Sequence, residues 1–378
     1  MGSTDADVDL PADAQDTISS VSWSPTNPYL AAASWDGHVR VYNVGPAPDH
    51  AYRGPAVLQT QRPLLGCHWA RDGSLVAAGG TDCKLYILDP VTGQHDTSSD
   101  EHAAPIKAVR FVDIPGAGGG GSSIVASGSW DQTVKLWDLR QHGQVMSVPC
   151  TERVYAMDAA EHLLVVATAD NTQVDLFDFR NPSAGVTTVD SALQHQAKAI
   201  AVYPDALGWA TAGIEGCVAI TDLEDEAERF RYSPLDTGSF TFECHQRREV
   251  RAGVWTTEIW SVNDLCFHPI DQNVLATAGS DGSFCFWDTG TGDKLREYEP
   301  GRDSHSAGGS SGGHQANITP ITAAAFDHDG GIFSYAMGYD WSMGHAHNSS
   351  DIRNRLVLHT VTEDDIPLED DASLEDEH

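Results

Sequence analysis

Three side chains of this sequence have the chemistry of a hydrolytic triad. His102, Ser127 and Asp131 could serve as base, nucleophile and orienting acid, and Trp137 follows them closely. The Gly-x-Ser-x-Gly turn that presents a nucleophilic serine is missing around Ser127. The alternative is a structural hydrogen-bond chain within one repeat. We favour it because His102 precedes one predicted strand and Asp131 lies in a turn between two others.

The sequence signals for a metal site and for a nucleotide-binding site are also weak. His345 and His347 form a His-x-His pair with His328 nearby, but no third ligand stands at a fixed spacing. The glycine-rich stretch 116–123 lacks the Gly-Lys-Ser/Thr of a phosphate-binding loop. The sequence therefore predicts no catalytic residues, no metal site and no cofactor.

The elements that carry these residues come from a repeat. Seven times a short apolar strand runs into a tight acidic turn and then into a second strand, as in SWDGHVRVYNV (34–44) and SWDQTVKLWDLR (129–140). A period near 40–45 residues is typical of a β-propeller with four strands per blade. We therefore predict an all-β, seven-bladed propeller whose turn acids are Asp36, Asp82, Asp131, Asp170, Glu215, Asp281 and Asp340.

The last blade lacks an outer strand, because the chain turns acidic after 355–361. We expect the segment 7–10 to supply that strand and to remove an exposed edge. The prediction is one domain over 1–366, closed by the N-terminal strand, followed by a disordered acidic tail at 367–378. No apolar run is long enough for a transmembrane helix, so no membrane partner is expected.

The charge of the chain restricts its partners. Its formal net charge is −33, and residues 1–16 and 363–378 carry fourteen of the 55 acids. The remainder has 22 basic against 41 acidic residues, a net charge of −19. Such a surface repels phosphate backbones, so direct RNA binding is doubtful.

Several motifs together resemble one family. They are ERVYAMDAAEHLLVVATA, GIEGCVAI, FTFECH, VNDLCFHP and GIFSYAMGYDWSMGH, and they are similar to strings of the nuclear-pore mRNA-export WD-repeat proteins of the Rae and Gle type. Checkpoint WD-repeat proteins of the Bub type share several of them. The resemblance covers roughly residues 7–362, and YDWSMGH with the ERVY string favours the export type.

The resemblance implies a non-enzymatic adaptor that acts in mRNA export. Such proteins bind a phenylalanine-glycine-repeat nucleoporin through its acidic GLEBS peptide, on the propeller's top face. They are found in the nucleus and at the nuclear envelope, and they shuttle to the cytoplasm. Alternatives are a spindle-checkpoint adaptor of the Bub type, or a generic WD-repeat scaffold such as a ubiquitin-ligase substrate receptor.

Four residues are candidates for peptide binding. Trp35 and Trp130 follow predicted second strands, whereas Lys198 and Arg247 lie in predicted loops before first strands, and all these positions face the top. Aromatic residues with cations suit an acidic peptide. The chain departs from the family pattern at Gln246 and Cys217, and at Lys198, where the family usually has an arginine that pairs bidentately with carboxylates.

Overall fold

The innermost strands of seven four-stranded antiparallel sheets lie side by side around a central channel. The structure, a computed structural model, describes residues 7–11, 13–45, 51–114, 123–141, 143–170, 173–223, 238–251, 253–300, 318–348 and 352–366. Each innermost strand contacts the innermost strands of both neighbouring blades, and the last contacts the first. The predicted seven-bladed all-β propeller is therefore confirmed.

Each blade is numbered by its place in the chain, with strands a to d from the channel outward. β1 (Val8–Asp9) precedes the first blade. Blades 1 to 3 comprise β2 (Ile18–Trp23), β3 (Tyr29–Ser34), β4 (His38–Val44) and β5 (Ala51–Gln59); β6 (Leu64–Trp69), β7 (Val76–Gly80), β8 (Leu85–Leu88) and β9 (His95–Thr97); and β10 (Ile106–Phe111), β11 (Ile124–Ser129), β12 (Thr133–Asp138) and β13 (Gln144–Pro149).

The remaining blades follow the same order, with one added hairpin. Blades 4 and 5 comprise β14 (Val154–Ala160), β15 (Leu163–Thr168), β16 (Gln173–Asp178) and β17 (Thr187–Asp190); and β18 (Ala197–Val202), β19 (Gly208–Gly213), β20 (Cys217–Asp222) and β21 (Gly238–Glu243). The hairpin is β22 (Gln246–Arg251) and β23 (Val254–Ile259). Blades 6 and 7 comprise β24 (Val262–Phe267), β25 (Val274–Gly279), β26 (Phe284–Asp288) and β27 (Lys294–Tyr298); and β28 (Ile321–Phe326), β29 (Ile332–Met337) and β30 (Arg355–Thr360).

Strand b of each blade consists mainly of small and β-branched residues and is almost entirely buried. Ala31, Ala33, Ala126 and Ala210 are completely inaccessible to solvent. Small side chains let adjacent blades approach closely, while larger rings fill the remaining space between blades. The tryptophan Trp69, for example, is 2% exposed and donates its indole N–H to Ser22 O of the preceding blade at 2.9 Å.

The N-terminal strand β1 completes blade 7. It pairs antiparallel with β30, with Val8 opposite Leu358, and the N–H of Leu10 donates to Leu356 O at 2.8 Å. The guanidinium of Arg355 donates to both carboxylate oxygens of Asp9 at 2.8 Å. The outer edge of the last blade is thus covered by the first strand of the chain.

Next to the pairing of β1 with β30 lies a group of polar side chains from three parts of the chain. Asp7 accepts from His359 Nδ1 at 2.7 Å and from the Tyr335 hydroxyl. Although burial raises it, these two hydrogen bonds lower the pKa of Asp7 overall. Asp365 accepts from the Tyr298 hydroxyl of blade 6 and from Thr362. The contacts tie both ends of the propeller to blades 6 and 7.

The domain bounds 1–366 remain a prediction, and the acidic tail 367–378 lies outside the described residues. Outside them also lie the stretch 302–317, most of 116–123, and 224–237. Among the described residues, the only helices are two short 3-10 turns, Pro182–Ala184 and His345–His347, and no helix is long and apolar enough to cross a membrane.

Leu10→Ala tests the contribution of the N-terminal segment. Leu10 is 2% exposed and packs among residues of blades 1 and 7. Its truncation removes buried contacts across the closure, so we expect a loss of about 2–5 kcal/mol in the free energy of unfolding. Thermal and denaturant unfolding measure it.

Val91→Ala is the control, because Val91 is 76% exposed and its truncation should change stability by less than about 0.5 kcal/mol. If both variants unfold like the unmodified protein, the N-terminal segment does not stabilise the ring.

Candidate functional site

Lys198 lies inside a strand at the top of the channel. We expected a loop position, but strand a of blade 5 begins at Ala197, so Lys198 is its second residue. The register against β19 passes from Ala197 directly to Ala199, which leaves Lys198 as a bulge residue. The expected loop position is therefore wrong. The strand already begins at Ala197, but the regular alternation of its side chains starts only after the bulge at Lys198.

The ammonium group of Lys198 is held by polar side chains of blade 6. Its Nζ donates to Ser261 Oγ at 3.1 Å and to Asn263 Oδ1. Asn263 Nδ2 donates in turn to Asp340 Oδ2 at 3.2 Å, and the Ser280 hydroxyl donates to the same oxygen. Burial lowers the pKa of Lys198, and the charge of Asp340 offsets part of that shift. Lys198 is thus a half-buried cation at the base of a polar network.

Trp35 joins this network through an aromatic contact. It directly follows strand b of blade 1, as expected, and its ring stacks on Trp341 with centroids 5.3 Å apart. Trp341 is the chain neighbour of Asp340, so a continuous series of contacts connects Trp35 to Lys198. The φ of Trp341 is 60°, in the left-handed region that is unfavourable for a large side chain. Such strain persists where surrounding contacts over-determine the conformation.

Trp130 occupies the equivalent turn of blade 3. It directly follows β11, it is half-buried, and its backbone N–H donates to Pro105 O at 3.0 Å. Its indole Nε1 is buried without a hydrogen-bond partner among the described residues, as is that of Trp341. No hydrogen bond or ring contact of the described residues joins Trp130 to Trp35 or Lys198. Trp130 therefore lies apart from the group of contacts that connects Trp35 to Lys198.

Arg247 lies on the hairpin between blades 5 and 6, where we expected a loop. Its side chain is exposed, and Glu258 is directly opposite in the hairpin register. The overlooked signal was Gly253, whose φ of 81° suits a tight turn between two runs of strand-forming residues. Successive side chains of a strand alternate between faces. Val250 and Trp255, which pair with each other, therefore share the face opposite to Arg247.

Gln246 and Cys217, the two departures from the family pattern, contact each other. Gln246 Nε2 donates to the carbonyl oxygens of Glu215 at 3.2 Å and Gly216 at 3.1 Å, and it lies 3.8 Å from Cys217 Sγ. The amide thus anchors the start of the hairpin on the b–c turn of blade 5. Since Arg247 follows Gln246 in the chain, this anchor also restricts the position of Arg247.

The triad-like residues form the buried structural chain that we favoured. His102 Nδ1 lies 2.8 Å from Asp131 Oδ2, and its Nε2 lies 2.8 Å from Ser127 Oγ. The indole N–H of Trp137 donates to the same hydroxyl at 2.8 Å. Ser127 is fully buried, so its hydroxyl cannot meet a substrate. The chain links strands b and c of blade 3 to the loop before strand a.

A second chain of this kind, which we did not foresee, supports the hairpin. His245 Nδ1 lies 2.9 Å from Asp281 Oδ1, and its Nε2 lies 2.9 Å from Thr277 Oγ1, which accepts from Trp287 Nε1 at 2.9 Å. Thr277 takes the place that Ser127 has in blade 3, so the His–Ser–Asp–Trp pattern does not identify this second chain in the sequence. Because Gln246 follows His245, both residues fix the base of the hairpin.

Potential metal ligands come together at one place among the described residues. Asp327, His328 and Asp329 lie in the turn between strands a and b of blade 7, with ligand atoms within 4.8 Å of one another. Burial and the neighbouring Asp329 raise the pKa of Asp327 to about 6. His345 and His347 are both exposed and lie elsewhere.

Comparison with known proteins agrees with this architecture. The model of the WD domain, G-beta repeat, matches residues 10–43, 98–138 and 253–288. The chain is similar to the WD40 repeat protein poxJ of Penicillium oxalicum, with 37% identity over 95% of this chain and 94% of that protein. It is 34% identical to the Poly(A)+ RNA export protein of Schizosaccharomyces pombe and 33% identical to the mRNA export factor GLE2 of Chaetomium thermophilum, each over 97% of this chain and 93% of the relative.

Ser127→Ala tests the structural role of the blade-3 chain. Removing the hydroxyl leaves the indole N–H of Trp137 and a ring nitrogen of His102 buried without a partner. Each lost partner costs about 1–3 kcal/mol, so we expect a clear fall in the free energy of unfolding. Ser147→Ala on the exposed strand β13 is the matched control and should change stability by less than about 0.5 kcal/mol. Equal stability of the two variants would contradict a structural role.

Proposed function

We propose that this chain, which belongs to the family of WD-repeat mRNA export factors, is a non-enzymatic adaptor of the nuclear pore. In this proposal its top face binds the acidic GLEBS peptide of a phenylalanine-glycine-repeat nucleoporin. The names of its relatives, an RNA export protein and an mRNA export factor, support the export role. The protein would accordingly act in the nucleus and at the nuclear envelope, and shuttle to the cytoplasm.

The observation that carries the proposal is the hairpin on the rim. Its first strand, Gln246–Arg251, contains three arginines in a chain that has only 22 basic residues against 55 acidic ones. Arg247 is exposed, and Trp255 on the other face is 76% exposed. A glutamate-rich peptide is repelled by most of this protein's surface, so it requires a local concentration of cations and apolar contacts.

Lys198 would act on the same peptide from below the rim. Lys198 is half-buried, and an interaction between a carboxylate and a partly desolvated cation is stronger than one at a fully exposed position. Ser261 and Asn263 already fix its ammonium group, so little side-chain entropy would be lost on binding. Lys198 would therefore contribute more per charge than Arg247.

The aromatic residues would complete the interface. The stacked pair of Trp35 and Trp341 offers a rigid apolar surface beside the network around Lys198. The indole N–H groups of Trp130 and Trp341 lack acceptors among the described residues. A peptide in extended conformation presents carbonyl oxygens that could satisfy such donors after a small ring movement.

Two other functions are compatible with a WD-repeat propeller. A checkpoint adaptor of the Bub type would use the same fold with a different partner peptide, and a generic scaffold would need neither cations nor tryptophans on this face. The relatives' names favour export over both. No positive observation among the described residues supports an enzyme, because the triad-like residues are buried structural groups.

Substitution of the two cations tests peptide binding. Lys198→Met and Arg247→Glu should each weaken the affinity for an acidic GLEBS-type nucleoporin peptide by about tenfold or more, because a desolvated charge pair loses about 2–5 kcal/mol when one partner is truncated. Arg247→Glu adds repulsion to the loss. Fluorescence anisotropy with a labelled peptide measures the effect, and circular dichroism verifies the fold.

Arg71→Glu is the matched control. It makes the same charge change, but Arg71 follows the end of strand a in blade 2, at the opposite end of the channel, and pairs with Glu161 at 3.3 Å. We expect it to alter the affinity by less than about threefold, the range of an exposed ion pair. Equal losses in Arg247→Glu and Arg71→Glu would indicate a general charge effect. Wild-type affinity in all three variants would reject this site.

Direct binding of RNA should be weak. The chain excluding its acidic ends has a net charge of −19, from 22 basic and 41 acidic residues, so few phosphates can be neutralised. We expect a single-stranded RNA oligonucleotide to bind with a dissociation constant above about 1 μM at about 150 mM salt. An anisotropy titration decides the point, and sub-micromolar binding would contradict the electrostatic argument.

A further inference from the structure

All seven innermost strands share a backbone irregularity near their first residue. In blade 3, for example, Ile106 pairs with Ser129 and Ala108 with Gly128, so Lys107 between them has no partner in the ladder. The register skips the second residue of strand a in every other blade as well. Strand a begins at the top of a blade, and a bulge residue is released from pairing. The seven skipped residues line one central cavity of about 530 Å3: Ser19, Leu65, Lys107, Tyr155, Lys198, Asn263 and Thr322.

Hydrogen-bond donors are concentrated on one side of this ring. Lys107, Tyr155 and Lys198 come from the successive blades 3, 4 and 5. Burial lowers the pKa of Lys107, the charge of Asp264 offsets part of that shift, and the charge of Lys198 adds to it. Tyr155 lies on the blade between the two lysines, and all three residues line the same cavity.

The three donors differ in what they contact. Lys198 is held by Ser261 and Asn263. By contrast, neither Lys107 Nζ nor the Tyr155 hydroxyl has a hydrogen-bond partner among the described residues, although both line the cavity. Lys107 and Tyr155 are both half-buried. Their ammonium and hydroxyl groups therefore remain available to a small molecule that enters the cavity.

The carboxylates deeper in the channel do not satisfy these donors. Asp158 accepts from Arg110 Nε at 2.7 Å. Asp264 accepts from the backbone N–H groups of Leu265 at 3.0 Å and Ala324 at 2.9 Å. Its charge attracts Lys107, but no hydrogen bond joins the two among the described contacts. Neither carboxylate therefore accepts a hydrogen bond from Lys107 or Tyr155 among the described residues.

We propose that Lys107, Tyr155 and Lys198 form a binding site for a small oxyanion, a phosphate or carboxylate group, at the top of the central channel. Two ammonium groups and a phenol supply the charge-assisted hydrogen bonds that such a group requires. The oxyanion can be free in solution, or it can be a glutamate side chain of a peptide docked on the top face. Only the second source depends on the function proposed above.

Lys107→Met tests the site, because it removes the charge and approximately keeps the shape. Inorganic phosphate at about 10 mM should raise the thermal midpoint of the unmodified protein by about 2 °C or more relative to chloride of equal ionic strength, since a ligand of the folded state stabilises it. This shift should disappear in Lys107→Met. Lys84→Met, which removes an exposed lysine paired with Glu101, is the control and should keep the shift.

A second arm identifies the source of the oxyanion. If phosphate has no effect, the acidic peptide used above should bind Lys107→Met about tenfold more weakly than it binds Lys84→Met. Tyr155→Phe, which removes one hydroxyl, should weaken the binding of whichever ligand, phosphate or peptide, the unmodified protein binds. If Lys107→Met does not fold, Tyr155→Phe takes its place in both measurements. If neither phosphate nor peptide distinguishes these variants from the unmodified protein, the proposal is wrong. If the peptide fails to bind the unmodified protein, the proposed function fails, and the phosphate result alone decides on this site.

Discussion

Closure of the ring is the constraint on which the rest of this structure depends. Seven innermost strands must stand side by side, and the last of them must meet the first. That geometry demands small residues on strand b, because larger ones would force the blades apart. It also brings the two ends of the chain together, so that Val8–Asp9 forms the outer strand of a blade whose other strands lie more than 300 residues later. The aspartates beside this strand are fixed by Arg355, His359 and Tyr335 rather than left to repel one another.

The same geometry also places seven side chains, one from each innermost strand, at the wall of the central channel. Because each innermost strand carries its bulge at the same place, one residue per blade is released from pairing and lines the channel. Some of them bridge neighbouring blades: Ser19 Oγ donates to Leu64 O and Thr322 Oγ1 donates to Ile18 O, each at 2.7 Å. In this chain two of them are lysines and one is a tyrosine, on adjacent blades. A bulge is therefore the structural reason why cations occupy the centre of an acidic protein.

The sequence predicted the fold well because its strongest signals are local. Turn acids, apolar strands and the missing outer strand of blade 7 each depend on a few neighbouring residues. The candidate site was predicted less well, because it depends on contacts between blades. Lys198 was assigned to a loop, since alternation gives no sign of a strand that begins with a bulge. The role of Trp341 was not predicted, because nothing in the sequence shows that it stacks on Trp35, 306 residues earlier.

Cations in this protein fall into two groups, and the difference bears on function. Several are neutralised where they stand: Arg40 by Asp36 at 2.7 Å, Arg110 by Asp158 at 2.7 Å, and Arg355 by Asp9 at 2.8 Å. Such pairs maintain the structure and offer little to a partner. Lys107 has no hydrogen-bonded acceptor among the described residues, and Lys198 is hydrogen-bonded only to neutral groups. In a chain of net charge −33, positive charge that is left without a bonded carboxylate is the part of the surface to which an anionic partner can be drawn. The binding proposed at the top of the channel would therefore depend less on the number of cations than on which of them the fold has left without a bonded acid.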